Sequence, residues 1–251
     1  MLSIRARRTT PIAVALLLGA MLGVASSSSI ALLDEYPDPY VVDPNFVPGN
    51  QPHDKEVVYN PEFAPMYYNR GNAWYDQGEY LNAIRGYNNA LFLKPDMEPG
   101  YFNRGISYFL LRQYKAAAED FDNILQQNPN HTYAKIWKKV ALLKYQAVSS
   151  EPAQPVKILE GDGKKNRVYK DWPSNVLAFV SGEMDEEAFI FTAFHPNASV
   201  QVQQYCELWF YVGQRHLAAG NRDQAIVAFK KSVETGVTDF AEYVAASNEL
   251  K

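Results

Sequence analysis

Tyr67-Tyr68-Asn69-Arg70-Gly71 recurs 34 residues later as Tyr101-Phe102-Asn103-Arg104-Gly105. The register persists beyond it. Tyr80 pairs with Tyr114, Ala83 with Ala117, Tyr87 with Phe121, Ala90 with Ile124 and Pro95 with Pro129, all at the same separation.

Each matched position has a packing reason. Gly71 and Gly105 let two helices approach closely, and Ala83 and Ala117 do the same from the second helix. Gly78 suits the left-handed turn between the helices of the first copy, Arg112 replaces it in the second, and Pro95 and Pro129 end each unit. This pattern resembles the tetratricopeptide repeat. One helix pair cannot bury its own apolar stripe, so pairs must stack. The expected fold is therefore all-α, a tetratricopeptide-repeat solenoid of stacked helical hairpins with a concave face.

The units are read as repeats over 64–97 and 98–131. A degenerate first helix follows over 132–147, in which Tyr133, Ile136, Trp137 and Val140 keep helical spacing but Lys139 stands where glycine is expected. Residues 148–171, with Pro152, Pro155, Gly161 and Gly163, read as a loop. Residues 172–205 form a helical connection, with Pro173 near one helix start, Gly182 at its end, and a second helix over 183–194. The last repeat spans 206–239, where Trp209, Gly213, Gly220, Ala225 and Phe229 take the offsets of Tyr67, Gly71, Gly78, Ala83 and Tyr87. Residues 240–251 complete the chain as a capping helix.

The N-terminal part reads as an address. Arg5, Arg7 and Arg8 precede the uncharged apolar run 12–25, which is shorter than the ~20 residues a membrane span needs, and small residues follow to Ala31. Residues 1–31 are thus expected to be a signal peptide, placing the body in the periplasm or outside the cell; if uncleaved, the segment tethers it to a membrane. No cysteine precedes Cys206, so lipid attachment after the apolar run is not expected. Residues 32–63 read as a proline-rich linker, rigid and extended.

Composition narrows the function classes. A net charge of −4, from 24 Lys+Arg against 28 Asp+Glu, lacks the basic surplus of a nucleic-acid binder. His53, His131, His195 and His216 include no pair at metal-ligand spacing, and Cys206 has no histidine near it in sequence. Glu183, Asp185, Glu186 and Glu187 suit the positive end of a helix dipole better than acid–base chemistry. Lys164, Lys165, Arg167 and Lys170 read as a solvated loop. With no phosphate loop and no nucleophile elbow, neither an enzyme nor a cofactor is expected.

The candidate site is the concave face. The first helix of each unit would expose Tyr68, Asn69, Asn72, Tyr75 and Asp76 from one copy and Phe102, Asn103, Ile106 and Phe109 from the next. Amides beside aromatics suit an extended peptide, the amides pairing with its backbone and the rings stacking on its side chains. The alternative is that Asn69 and Asn103 brace neighbouring turns. Asn72 and Asn103 also match the two amides of a carboxylate clamp, but Tyr68 stands where its lysine belongs, and Lys135, Lys138 and Lys139 are displaced.

Residues 66–250 resemble the NlpI-like periplasmic repeat lipoproteins. The likeness rests on Trp172 with the apolar helix 176–182, on Phe210-Tyr211-Val212-Gly213, and on Ala241-Glu242-Tyr243. It implies a dimeric adaptor that brings peptidoglycan hydrolases of the cell envelope to a C-terminal-processing protease.

Overall fold

The computed structural model describes residues 60–148 and 168–251. The expected signal peptide, nearly all of the proline-rich linker, His53, and Lys164, Lys165 and Arg167 of the loop lie outside the described residues. The last three linker residues already turn: Pro61–Phe63 is a 3-10 helix whose N-cap, Asn60, accepts from the Glu62 amide.

Ten α-helices follow among the described residues: α1 (Ala64–Asp76), α2 (Tyr80–Leu93), α3 (Glu98–Leu110), α4 (Tyr114–Gln127), α5 (Thr132–Val148), α6 (Trp172–Val180), α7 (Glu186–Thr192), α8 (Ala198–Ala218), α9 (Arg222–Glu234) and α10 (Ala241–Glu249). The pairs α1/α2, α3/α4 and α8/α9 are hairpins stacked in a repeat solenoid. Helix α5 packs between α4 and α6, and α6 packs on α7 and α8. The chain's last helix, α10, returns to touch α3 as well as α8 and α9.

One turn geometry closes four helices. After α1, Glu79 N–H donates to the Trp74 carbonyl and Gly78 N–H to that of Tyr75, and the same two bonds recur at Gln113/Arg112, Glu183/Gly182 and Asn221/Gly220. The residue at the bend is left-handed each time: Gly78, Gly182 and Gly220 at φ 79° and Arg112 at φ 61°. Arginine thus holds in α3/α4 a conformation that its Cβ opposes.

The close approaches are two-sided. A Cβ on Gly71 would meet the Tyr87 ring at 2.6 Å, and one on Gly86 would meet the Gly71 backbone at 2.7 Å, so α1 and α2 cross through a Gly–Gly contact. Lys139 replaces the glycine of this position in α5, which packs on α4 and α6. The Lys139 ammonium reaches Ser181 Oγ at 3.1 Å, at the end of α6.

Trp137 of α5 is the hub of the core. It lies 5.2 Å from Phe109 of α3, 6.3 Å from Phe121 of α4, and 5.4 and 6.4 Å from Phe210 and Tyr211 of α8, ring centre to ring centre. Helix α8 begins at Ala198, ahead of the repeat boundary expected at 206, because Asn197 accepts from the Ser199 and Val200 amides and caps it there. Helix α7 covers only Glu186–Thr192 of the expected 183–194, capped by Asp185 through the Ala188 amide.

Candidate interaction site

The inner wall is built from the first helix of each hairpin, and the nine candidate residues divide sharply on it. Asn69 and Asp76 are exposed and Tyr68 is half-buried, whereas Asn72, Tyr75, Phe102, Asn103, Ile106 and Phe109 are buried. The expectation of exposure thus fails for six of them, for two reasons.

First, the amides are occupied between repeats. Asn103 Nδ2 donates to Asn72 Oδ1 at 2.9 Å and to the Tyr68 hydroxyl at 3.0 Å, while the Tyr87 hydroxyl donates to the same Asn72 oxygen at 2.9 Å. Asn72 and Asn103 sit on the flanks where α1 meets α3, so they join one repeat to the next. The apolar members are core: Phe102 packs edge-on to Phe121, Phe109 packs on Tyr114 and Trp137, and Ile106 lies in the same cluster. Beside them, Arg104 makes two bonds to Asp120, at 2.8 and 2.6 Å, and a third to Asn88 Oδ1 at 2.6 Å, linking α3, α4 and α2. Burial raises the proton affinity of the Asp120 carboxyl, and Arg104 opposes that rise.

Second, α10 occupies part of the inner face. Its Glu242 is buried, accepting from the Tyr211 hydroxyl at 2.7 Å and from the Trp137 side chain. At its far end Glu249 pairs with Lys144 of α5 at 2.6 Å and accepts from Gln214 Nε2 of α8 at 3.3 Å. Asn248 bonds the Tyr80 side chain at the start of α2. Lys144 itself lies 5.6 Å over the Tyr114 ring. Its apolar contacts come from Ala241, Ala245 and Ala246 and from the fully buried Phe240 at its N-cap. Sequence reasoning placed a helix over 240–251 and left its position open. The available hint was two glutamates seven residues apart, which share one helix face.

The remaining reactive groups have structural partners. Burial pushes the Cys206 thiol up to about 12, and its sulfur lies 3.7 Å from Ser232 Oγ, which donates to the Cys206 carbonyl. Glu207 accepts from the Tyr133 hydroxyl and the Trp172 indole, both at 3.1 Å, joining α5, α6 and α8. Arg215 Nη1 reaches the Phe179 and Met184 carbonyls at 3.1 Å each and caps the end of α6. His131 Nδ1 accepts from the Ala134 amide and its Nε2 pairs with Glu98, while His216 pairs with Glu186. That last pair borders a groove of about 380 Å³ between α8 and α9, where the Lys231 ammonium lies 3.8 Å over the Trp209 ring. Among the described residues, no group of three His, Cys, Asp or Glu side chains is placed to hold a metal, and no helix is long and apolar enough to cross a membrane.

A model of the tetratricopeptide repeat family matches residues 99–131. Among solved structures, a crystal structure of MamA protein is similar over 70% of this chain and 93% of that one, at 17% identity and a TM-score of 0.32. The chain thus carries a tetratricopeptide repeat at residues 99–131, set in an all-α solenoid of stacked helical hairpins, the architecture of a protein–protein interaction scaffold.

Proposed function

We propose that this protein is an exported adaptor of the cell envelope that links peptidoglycan hydrolases to a C-terminal-processing protease and catalyses nothing itself. The observation that carries the reading is the repeat solenoid, whose first helices are touched by the chain's own α10. Export rests on the charged start and apolar run of residues 1–31, and the adaptor role on the resemblance of residues 66–250 to NlpI-like lipoproteins. Such an adaptor is dimeric and lies in the periplasm or outside the cell, free if the leader is cleaved and membrane-tethered if it is kept.

The test is affinity capture by the full chain from an envelope extract, with the retained proteins identified by mass spectrometry. A small set of folded hydrolases together with a processing protease supports the adaptor, and retention of neither refutes it. A second reading, an assembly or secretion factor that holds unfolded exported chains, is favoured by the apolar surface at the α7 corner. There Phe191 is 80% and Phe194 72% exposed. Capture of many unrelated unfolded clients would select that reading.

A further inference from the structure

We propose that α10 is a resident stand-in ligand, and that its berth on the inner face receives a partner's α-helix bearing two carboxyl groups seven residues apart on a small-residue face. This rests on the scaffold reading and specifies its partner.

The berth shows the chemistry it selects. At one end the Tyr211 hydroxyl and the Trp137 side chain converge on the buried Glu242 carboxyl. At the other, Lys144 and Gln214 hold Glu249. Positions 242 and 249 are two turns apart on one face, so the berth measures about 10 Å between carboxyl groups along a helix. Between them Ala245 and Ala246 present only methyl groups, which lets the backbone of the guest approach closely.

The fit of α10 is incomplete, and the defect lies on the wall that faces it. Gln214 Oε1 is buried and finds no hydrogen-bond partner among the described residues. Gln214 donates to Glu249 through its other atom, so its unpaired oxygen borders α10. An unpaired buried polar atom is costly, and a guest that brought a polar side chain within reach of that oxygen would bind better than the resident helix.

A resident ligand lowers the apparent affinity of a competing guest by the fraction of time the berth is filled. The experiment titrates a fluorescein-labelled peptide of residues 237–251 into the full-length protein, following anisotropy. Wild type is compared with Glu242→Lys, which places an ammonium opposite the Tyr211 hydroxyl and expels the resident helix. The expected result is binding at least tenfold tighter to the variant, lost when the peptide carries alanine at 242 and 249, and abolished by Lys144→Glu in the receiving protein. Equal or weaker binding to Glu242→Lys, with its far-UV helicity retained, overturns the proposal.

Hydrogen exchange on wild type keeps the test decisive should that variant not fold. Amides of α10 exchanging faster than those of α8 show that the helix leaves on its own, and exchange of the two in one step overturns the proposal. If the peptide fails while the full chain still captures hydrolases and protease, only this assignment of the berth falls. If the peptide binds as described and no envelope protein is captured, only the adaptor reading falls.

Discussion

Replacing Gly86 by alanine tests the packing logic of the first hairpin. The new Cβ would lie 2.7 Å from both Cα and N of Gly71 and 3.1 Å from the Tyr67 carbonyl oxygen, against an optimum near 3.5–4.0 Å for carbon pairs. All three are backbone atoms and cannot rotate away. Relief requires α1 and α2 to separate by roughly 1 Å. That movement withdraws the Tyr87 ring from the surface of Gly71 and stretches the 2.9 Å bond from its hydroxyl to Asn72. Overpacking of this kind costs about 1–3 kcal/mol and the weakened bond about 1 more. The better helix propensity of alanine returns about 1 kcal/mol. The net expectation is a loss of about 1–3 kcal/mol. For a chain of this size, each kcal/mol moves Tm by about 2–4 °C. Thermal unfolding followed by circular dichroism measures the total. Hydrogen exchange should localise the loss to α1 and α2, because each repeat contacts only its neighbours. Gly78→Ala is the control: its Cβ meets nothing within 4 Å, so its cost of roughly 1 kcal/mol arises from the positive φ alone. A Gly86→Ala protein with unchanged or higher Tm would refute the close-contact argument, since propensity alone predicts a gain.

Three further outcomes follow from the same packing. Arg112→Gly should stabilise the protein by about 1 kcal/mol, because it removes a Cβ from the one left-handed turn of the four that lacks glycine, and a lower denaturation midpoint would contradict this. Trp137→Ala should cost about 3–5 kcal/mol and weaken the union of α3/α4 with α8, read as a fall in the urea midpoint. Glu242→Gln should change the pH dependence of stability. Burial holds the Glu242 carboxyl above the usual carboxylate range, so the folded protein keeps a proton that the unfolded chain releases near pH ~4.3. Wild type therefore loses stability relative to the Gln variant as pH rises from about 4 through the folded value. The facing groups Tyr75, Tyr211 and Cys206 are all shifted upward and stay neutral in that window. A difference that is flat with pH sinks the assignment.

The repeat frame was legible because its residues act locally. A 34-residue recurrence of glycine, alanine and aromatic positions specifies helix, turn and contact face within one unit, and the close approach at Gly71 and the left-handed turn at Gly78 needed no distant information. Gly86 escaped the reading because it has no glycine counterpart 34 residues on, where the chain has Asp120. Asp120 instead anchors Arg104, so two repeats of one pattern close their hairpins by different means. Helix α8 starts ahead of the repeat boundary at 206, because the repeat period marks where the pattern begins, whereas the helix begins at its cap, Asn197.

For the inner face, the sequence by itself determined which residues lie on the first helix of each repeat, and with them the all-α solenoid. It could not determine which flank of each helix points to a guest and which to the next repeat. That choice depends on the crossing geometry of helices 31 to 35 residues apart, and it turned Asn72 and Asn103 toward each other. Nor could the sequence place α10. Its seat is decided by Tyr211, Trp137, Lys144 and Gln214, which meet it only when α5 and α8 have packed, because a hydrogen bond to a carboxylate exists only where folding brings a donor within about 3 Å.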